Sequence, residues 1–142
     1  MFSLDHSVRV FVFQVLSAEI QFLLLRHKPM DEWPLGPVIG PIGVGERMHD
    51  TIVREVREDT GIRKPLHIID LSRPRKELFG DMGLVEWPFA YQAGTPTNPI
   101  GRLVPGPRVG ELSWMGFGQA FQSIEDPADR ETLVRLRVRL QS

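Results

Sequence analysis

The sequence predicts an α/β fold of the α+β kind, in which a mixed β-sheet is covered on both faces by helices. Runs rich in β-branched and aromatic residues at 8–16, 20–25 and 83–92 read as strands. A helical pattern at 48–60 stands between strand-like segments, and a second closes the chain at 128–140. Helices and strands that interleave in this way bury their apolar sides by packing helices against a sheet. With 142 residues, 42% hydrophobic and 25% charged, the chain is sized for a single domain, residues 1–142, with a core of its own.

Taken in order, the stretch from Val8 to Leu16 is joined by Ser17-Ala18-Glu19 to a second apolar run, Ile20 to Leu25, which predicts a β-hairpin. From 29 to 45 the chain carries Pro29, Pro34, Pro37 and Pro41 with Gly36, Gly40, Gly43 and Gly45, which excludes a helix and suits a loop with short extended pieces. A helix is expected at about 48–60, with the apolar stripe Ile52, Val53 and Val56 and with Gly61 as its left-handed stop. Strands are expected at 67–71 and 83–92, Pro88 marking an edge or a bulge in the second. A proline-rich loop spans 94–110, and Trp114 and Met115 fall on a last strand. Asp126 and Pro127 then open a helix over 128–140 as N-cap and first-turn proline, its apolar side including Leu133, Leu136 and Leu140.

Charge and composition exclude several classes. A net charge of -1 argues against a broad nucleic-acid surface, so no nucleic acid polymer is expected as a partner. The apolar runs at 8–16 and 20–25 are too short to span a bilayer, so no membrane association is expected. The absence of cysteine rules out a disulfide framework, a thiolate metal site and a thiol nucleophile, and is compatible with a cytoplasmic location.

The chemistry is concentrated on the first helix. Glu55, Glu58 and Asp59 stand at i, i+3 and i+4, where helical side chains are neighbours. Like charges at that spacing destabilise the helix that carries them, and a bound cation reverses the sign. Ligands that are all oxygen favour a hard ion such as Mg²⁺ or Mn²⁺.

Around these acids the spacing Gly40, five residues, Glu46, seven residues, then Arg54-Glu55-Val56-Arg57-Glu58-Asp59-Thr60-Gly61-Ile62 closely resembles the Nudix box, G-x5-E-x7-R-E-U-x-E-E-x-G-U. Asp59 replaces the last Glu of the box. As a solvated helix face, the charges alone would place no demand on Gly40, Glu46 or Gly61, all of which fall at the box spacing. The resemblance implies an α/β/α sandwich with a mixed sheet. It also implies a hydrolase that uses Mg²⁺ or Mn²⁺ to cleave a phosphoanhydride bond in a nucleoside diphosphate linked to another group. Carried over residue by residue, Glu55, Glu58 and Asp59 are the metal ligands, and Glu55 and Glu58, with Arg54 orienting Glu55, form the catalytic set. Glu46 is an auxiliary ligand or the partner of Arg54, and Gly40 lets the loop approach the helix.

Beyond the box, the resemblance leaves a distal acid to be found. Glu111, three residues before Trp114, and Glu86 are the candidates, while the position more typical of the family is Arg108. Arg26, with His27 and Lys28, is placed to meet substrate phosphates, and the oxygen-rich box makes His27 an unexpected metal ligand. Trp33 stands seven residues before Gly40 and Gly43 replaces a common Glu, so the loop departs from the family pattern. Trp33, Trp87, Phe89 and Tyr91 are candidates to stack on a base, with core packing as their alternative. The expected substrate is a small nucleotide-like molecule: a nucleoside triphosphate, dihydroneopterin triphosphate or a dinucleoside polyphosphate. The alternative is a Nudix-fold domain that binds a nucleotide or metabolite without cleaving it. A monomer or a homodimer is expected.

Overall fold

The β-branched run at the start of the chain forms the middle of the sheet, and its alternation decides what each face does. In the computed structural model, which describes residues 3–141, β1 (Ser3–Val15) turns back into β2 (Ile20–His27). The turn is closed by the Leu16 N–H donating to the Glu19 carbonyl at 2.8 Å. After the loop come β3 (Val38–Pro41) and α1 (Met48–Thr60), then β4 (His67–Asp70), β5 (Arg75–Phe79) and β6 (Met82–Gly94). The chain ends with β7 (Val109–Gly116), α2 (Phe117–Ser123) and α3 (Pro127–Leu140).

The seven strands form one sheet in the order β4-β6-β1-β2-β7, with β3 on β1 and β5 on β6. β1 and β6 run parallel from Ser3↔Met82 onward, while the other pairs are antiparallel, so the sheet is mixed as expected. That parallel partner also explains why β1 begins before the apolar run does.

Alternation along β1 sends Val8, Val10 and Val12 to one face, where Ile52 and Val56 of α1 cover them. Phe11 and Phe13 point to the other, under Ala120 of α2 and Leu133 and Leu136 of α3. Helices therefore lie on both faces of the sheet. Among the described residues, no helix is long and apolar enough to cross a membrane.

Three features differ from the sequence expectation. β5 and the seven-residue α2 were not predicted: β5 reads Arg-Lys-Glu-Leu-Phe with its side chains largely in solvent, and α2 is too short to show a period. Pro88 lies inside β6 rather than on an edge strand. Its carbonyl accepts from Leu71 N–H at 3.1 Å, so its missing N–H faces the joint where β4 gives way to β5. The ladder with β1 loses nothing there.

Candidate active site

α1 is held where its sequence demands. Gly61 takes φ 81°, the left-handed conformation, and its N–H donates to the Arg57 carbonyl, which ends the helix. Ile52 and Val56 are fully buried against the sheet, each worth about 1.5–3 kcal/mol of apolar burial. Glu55 lies at i+3 from Ile52 and Asp59 at i+3 from Val56, so they share part of that inward arc and are 2% and 1% exposed. Glu58 alone of the three acids points outward, its side chain 48% exposed. The acidic edge expected in an open cleft is thus mostly covered by β3 and its neighbours.

Gly40 makes this burial possible. It pairs with Val8 on the face below α1, and a Cβ built on it would lie 2.0 Å from Cδ of Glu55. The Glu55 carboxylate rests directly on the β3 backbone.

Two guanidiniums compensate the buried charge. Arg54 donates from Nη1 to Glu55 at 2.8 Å and to Glu58 at 3.4 Å, and from Nε and Nη2 to the two oxygens of Glu46 at 2.9 and 3.0 Å. Arg108 donates from Nη2 to Glu55 at 3.1 Å and to Asp59 at 3.4 Å. Burial pushes the Glu55 carboxyl above its ordinary value in spite of both arginines. Glu46 is the contrary case: Arg54, with Thr51 Oγ1 and the Gly43 N–H, holds its carboxyl down at about 2.

Beside the acids opens a cavity of about 220 Å³ lined by Ser7, His27, Lys28, Trp33, Gly40 and Arg108, among others. Nε2 of His27 lies 3.2 Å from Oδ2 of Asp59, and the His27 ring meets Trp33 edge to face at 5.6 Å. Acids, cations and an exposed aromatic therefore meet at one place, as a charged, ring-bearing ligand would require.

The donor set fits a hard divalent cation. Four carboxylates, Glu46, Glu55, Glu58 and Asp59, face two guanidiniums, and the excess of two negative charges is what one such ion would balance. Among the described residues, however, no three acidic or histidine side chains converge closely enough to hold an ion as they stand. The reason is visible in the contacts: Arg54 and Arg108 occupy the oxygens, and Glu58 turns toward Arg54.

The structure places the remaining candidate residues as follows. Glu46, expected among the metal ligands, has both oxygens taken up by Arg54, Thr51 and Gly43, which supports its other expected part as the partner of Arg54. Arg26 and Glu111 pair with each other across β2 and β7 at 3.3 Å, and Arg26 also donates to the Trp33 carbonyl at 2.8 Å. Alternation puts Arg26 on the side of Leu24, away from the α1 face, and leaves His27 and Lys28 at the cavity instead. Glu86 is on the α3 side of the sheet, bonded to Arg9 at 2.9 Å. Tyr91 is buried in the core, Phe89 packs against it, and Trp87 stacks on His6, so of the four aromatic candidates it is Trp33 that lines the cavity. Arg108 was noted only as a departure from the family pattern. Its contact with Glu55 and Asp59 depends on a loop whose path the prolines of 94–110 did not disclose.

The Nudix domain family model matches residues 5–136. Among solved structures, a Caenorhabditis elegans Ap4A hydrolase in a binary complex superposes with a TM-score of 0.79 at 15% identity, over 96% of this chain and 98% of the other. The Escherichia coli dihydroneopterin triphosphate pyrophosphohydrolase gives 0.71 at 19% identity, over 90% and 91%. The Nudix domain of Shewanella oneidensis NrtR, complexed with ADP-ribose, gives 0.74 at 16% identity, over 95% and 87%. The family model covers nearly the whole chain, and the structural likeness extends over the same length. With the box residues gathered beside one cavity, the chain belongs to the Nudix hydrolase family, whose members act on phosphoanhydrides.

Proposed function

We propose that this hydrolase is a pyrophosphohydrolase that requires Mg²⁺ or Mn²⁺ and cleaves a nucleoside diphosphate linked to a further group. The observation that supports this most is the contact of the Glu55 carboxylate with both Gly40 and Arg108, which line the adjoining cavity. A divalent ion held by Glu55, Glu58 and Asp59 would offset charge on the phosphate oxygens and supply a water of lowered pKa. Arg54 fixes the orientation of Glu55, and Glu46 fixes that of Arg54. Glu58, exposed and held by one long contact, keeps an oxygen that would accept a proton from the attacking water while the other holds the ion. Lys28 and Arg108 face the phosphates, and Trp33, 44% exposed, offers a surface for a base or pterin ring.

The substrate class is a nucleoside triphosphate, dihydroneopterin triphosphate or a dinucleoside polyphosphate, in keeping with two of the structural relatives. Incubating the protein with a panel of these compounds and Mg²⁺ or Mn²⁺, with detection of phosphate and pyrophosphate, tests the reading. Turnover is expected, and Glu58→Gln should lower it by about 10²-fold or more. A second reading, a domain that binds nucleotide or metabolite without turnover, draws on the arginines that already occupy Glu55 and Asp59. Tight binding with no product from any member of the panel would favour it over hydrolysis.

A further inference from the structure

Arg108 has a pinned backbone and an exposed head. The loop that carries it is fastened to the end of α1, whose last carbonyls lack partners within the helix. Val104 N–H donates to the Thr60 carbonyl at 2.9 Å and Gly106 N–H to the Asp59 carbonyl at 3.3 Å. The approach is so close that a Cβ on Gly106 would lie 2.0 Å from the Glu58 carbonyl oxygen. On the other side, Lys28 N–H donates to the Arg108 carbonyl at 2.8 Å.

From this anchor one nitrogen, Nη2, reaches both Glu55 and Asp59, at 3.1 and 3.4 Å. The arginine side chain is 53% exposed while the two carboxylates are 2% exposed. The asymmetry matters. Water can replace the carboxylates around the half-exposed guanidinium at small cost. The carboxylates have no such recourse, because a buried charge stripped of its partner is strongly unfavourable. Arg54 still bonds Glu55 and His27 still lies beside Asp59 when Arg108 leaves, but the charge that Arg108 shares between the two acids is lost, so its departure is favoured when another cation arrives. It already lines the neighbouring cavity with Lys28, so leaving the acids does not take it out of the site.

We propose that Arg108 is a built-in counter-cation for Glu55 and Asp59, which a divalent ion must displace and which then turns into the cavity to meet the anionic part of the ligand. The inference rests on the metal-dependent reading above. It implies that metal and anion favour each other's binding, since each stabilises the same displaced arrangement of Arg108.

The test is Mn²⁺ binding to the free protein, followed by electron paramagnetic resonance of the unbound ion with no nucleotide present. Arg108→Gln removes the competitor, so it should bind Mn²⁺ about fivefold or more tightly than wild type, with Arg108→Lys between the two. Equal or weaker binding by Arg108→Gln overturns the inference. A second readout needs only the wild-type fold: the Arg108 Nε–H resonance, assigned by its loss in Arg108→Lys, should shift as Mg²⁺ is added. A resonance that stays in place while Mg²⁺ saturates the protein also overturns it. If nucleotides are hydrolysed but Arg108 does not compete, this inference alone fails. If neither wild type nor Arg108→Gln binds Mn²⁺, the metal-dependent reading fails with it.

Discussion

At the scale of single residues, three positions carry consequences that can be measured. Gly40 has no slack: an added Cβ meets the Glu55 carboxyl at 2.0 Å, and that carboxyl is held by Arg54 and Arg108. Gly40→Ala should therefore cost about 1–3 kcal/mol of stability and lower kcat by about 10²-fold. Urea unfolding and steady-state kinetics would show both, and an unchanged kcat would mean that Glu55 need not sit where it does. Glu46 is a matter of pH. Its carboxyl is held at about 2 against an ordinary 4.5, so the unfolded chain binds that proton more readily than the folded one. Its contribution is complete above about pH 4.5 and is lost as pH falls toward 2. The gap in unfolding free energy between wild type and Glu46→Gln should accordingly shrink between about pH 6 and about pH 3. Tyr91 is the reverse of a useful polar group. Its hydroxyl is buried with no hydrogen-bond partner among the described residues, and burial pushes its pKa up to about 12. Tyr91→Phe should leave stability unchanged or raise it by about 1 kcal/mol, whereas a clear loss in thermal denaturation would reveal a partner for the hydroxyl.

Among the elements, α1 was legible because several local signals agree on it. The Ile52–Val56 stripe, the acids beside it and Gly61 all point to one helix with one buried side, and the helix runs from Met48 to Thr60. The β1–β2 hairpin and α3 were legible for the same reason, the latter through Asp126, which accepts from Ala128 N–H at 2.9 Å beside Pro127. What escaped was set by distant partners. β5 is a strand because β6 offers an edge, through Arg75↔Glu86 to Phe79↔Met82, and nothing in Arg-Lys-Glu-Leu-Phe demands it. Within the site, sequence marks which residues are acidic but not which are buried. It names Glu46, Arg26 and Glu111 as readily as Glu55, and only the fold separates the four. The loop at 102–108 belongs with β5: it follows the end of α1 because the carbonyls of Asp59 and Thr60 need donors. Gly106→Ala cannot keep that path, given the 2.0 Å approach to the Glu58 carbonyl. It should free the loop, and hydrogen exchange at Val104 and at position 106 should rise while that of β1 and β6 stays slow.

Over the whole molecule, the sheet separates the chemistry from a second set of buried charges that has no contact with it. On the α1 face, Glu55 and Asp59 meet cations that solvent can reach. On the α3 face, Arg9 is 9% exposed and is bonded to Asp129 of α3 and to Glu86 of β6, themselves 4% and 6% exposed. Arg9 belongs to β1, so this cluster ties the last helix to the same strand whose other face supports Gly40. Taking these charges out of water offsets much of what their attraction gains, so the cluster contributes little net stability while making each member indispensable to the others. Asp129→Ala leaves Arg9 buried with Glu86 alone and should lower the unfolding free energy by about 3–5 kcal/mol. Replacing Arg9, Glu86 and Asp129 together by apolar residues of similar volume should recover most of that loss. Because the cluster lies across the sheet from the acids, kcat of Asp129→Ala should match wild type at temperatures where both are folded. Urea unfolding of the single and triple variants, with kcat measured below the unfolding transition, checks both halves. A single variant as stable as wild type would mean the cluster is not dry, and a fall in kcat without unfolding would mean that the sheet transmits strain from one face to the other.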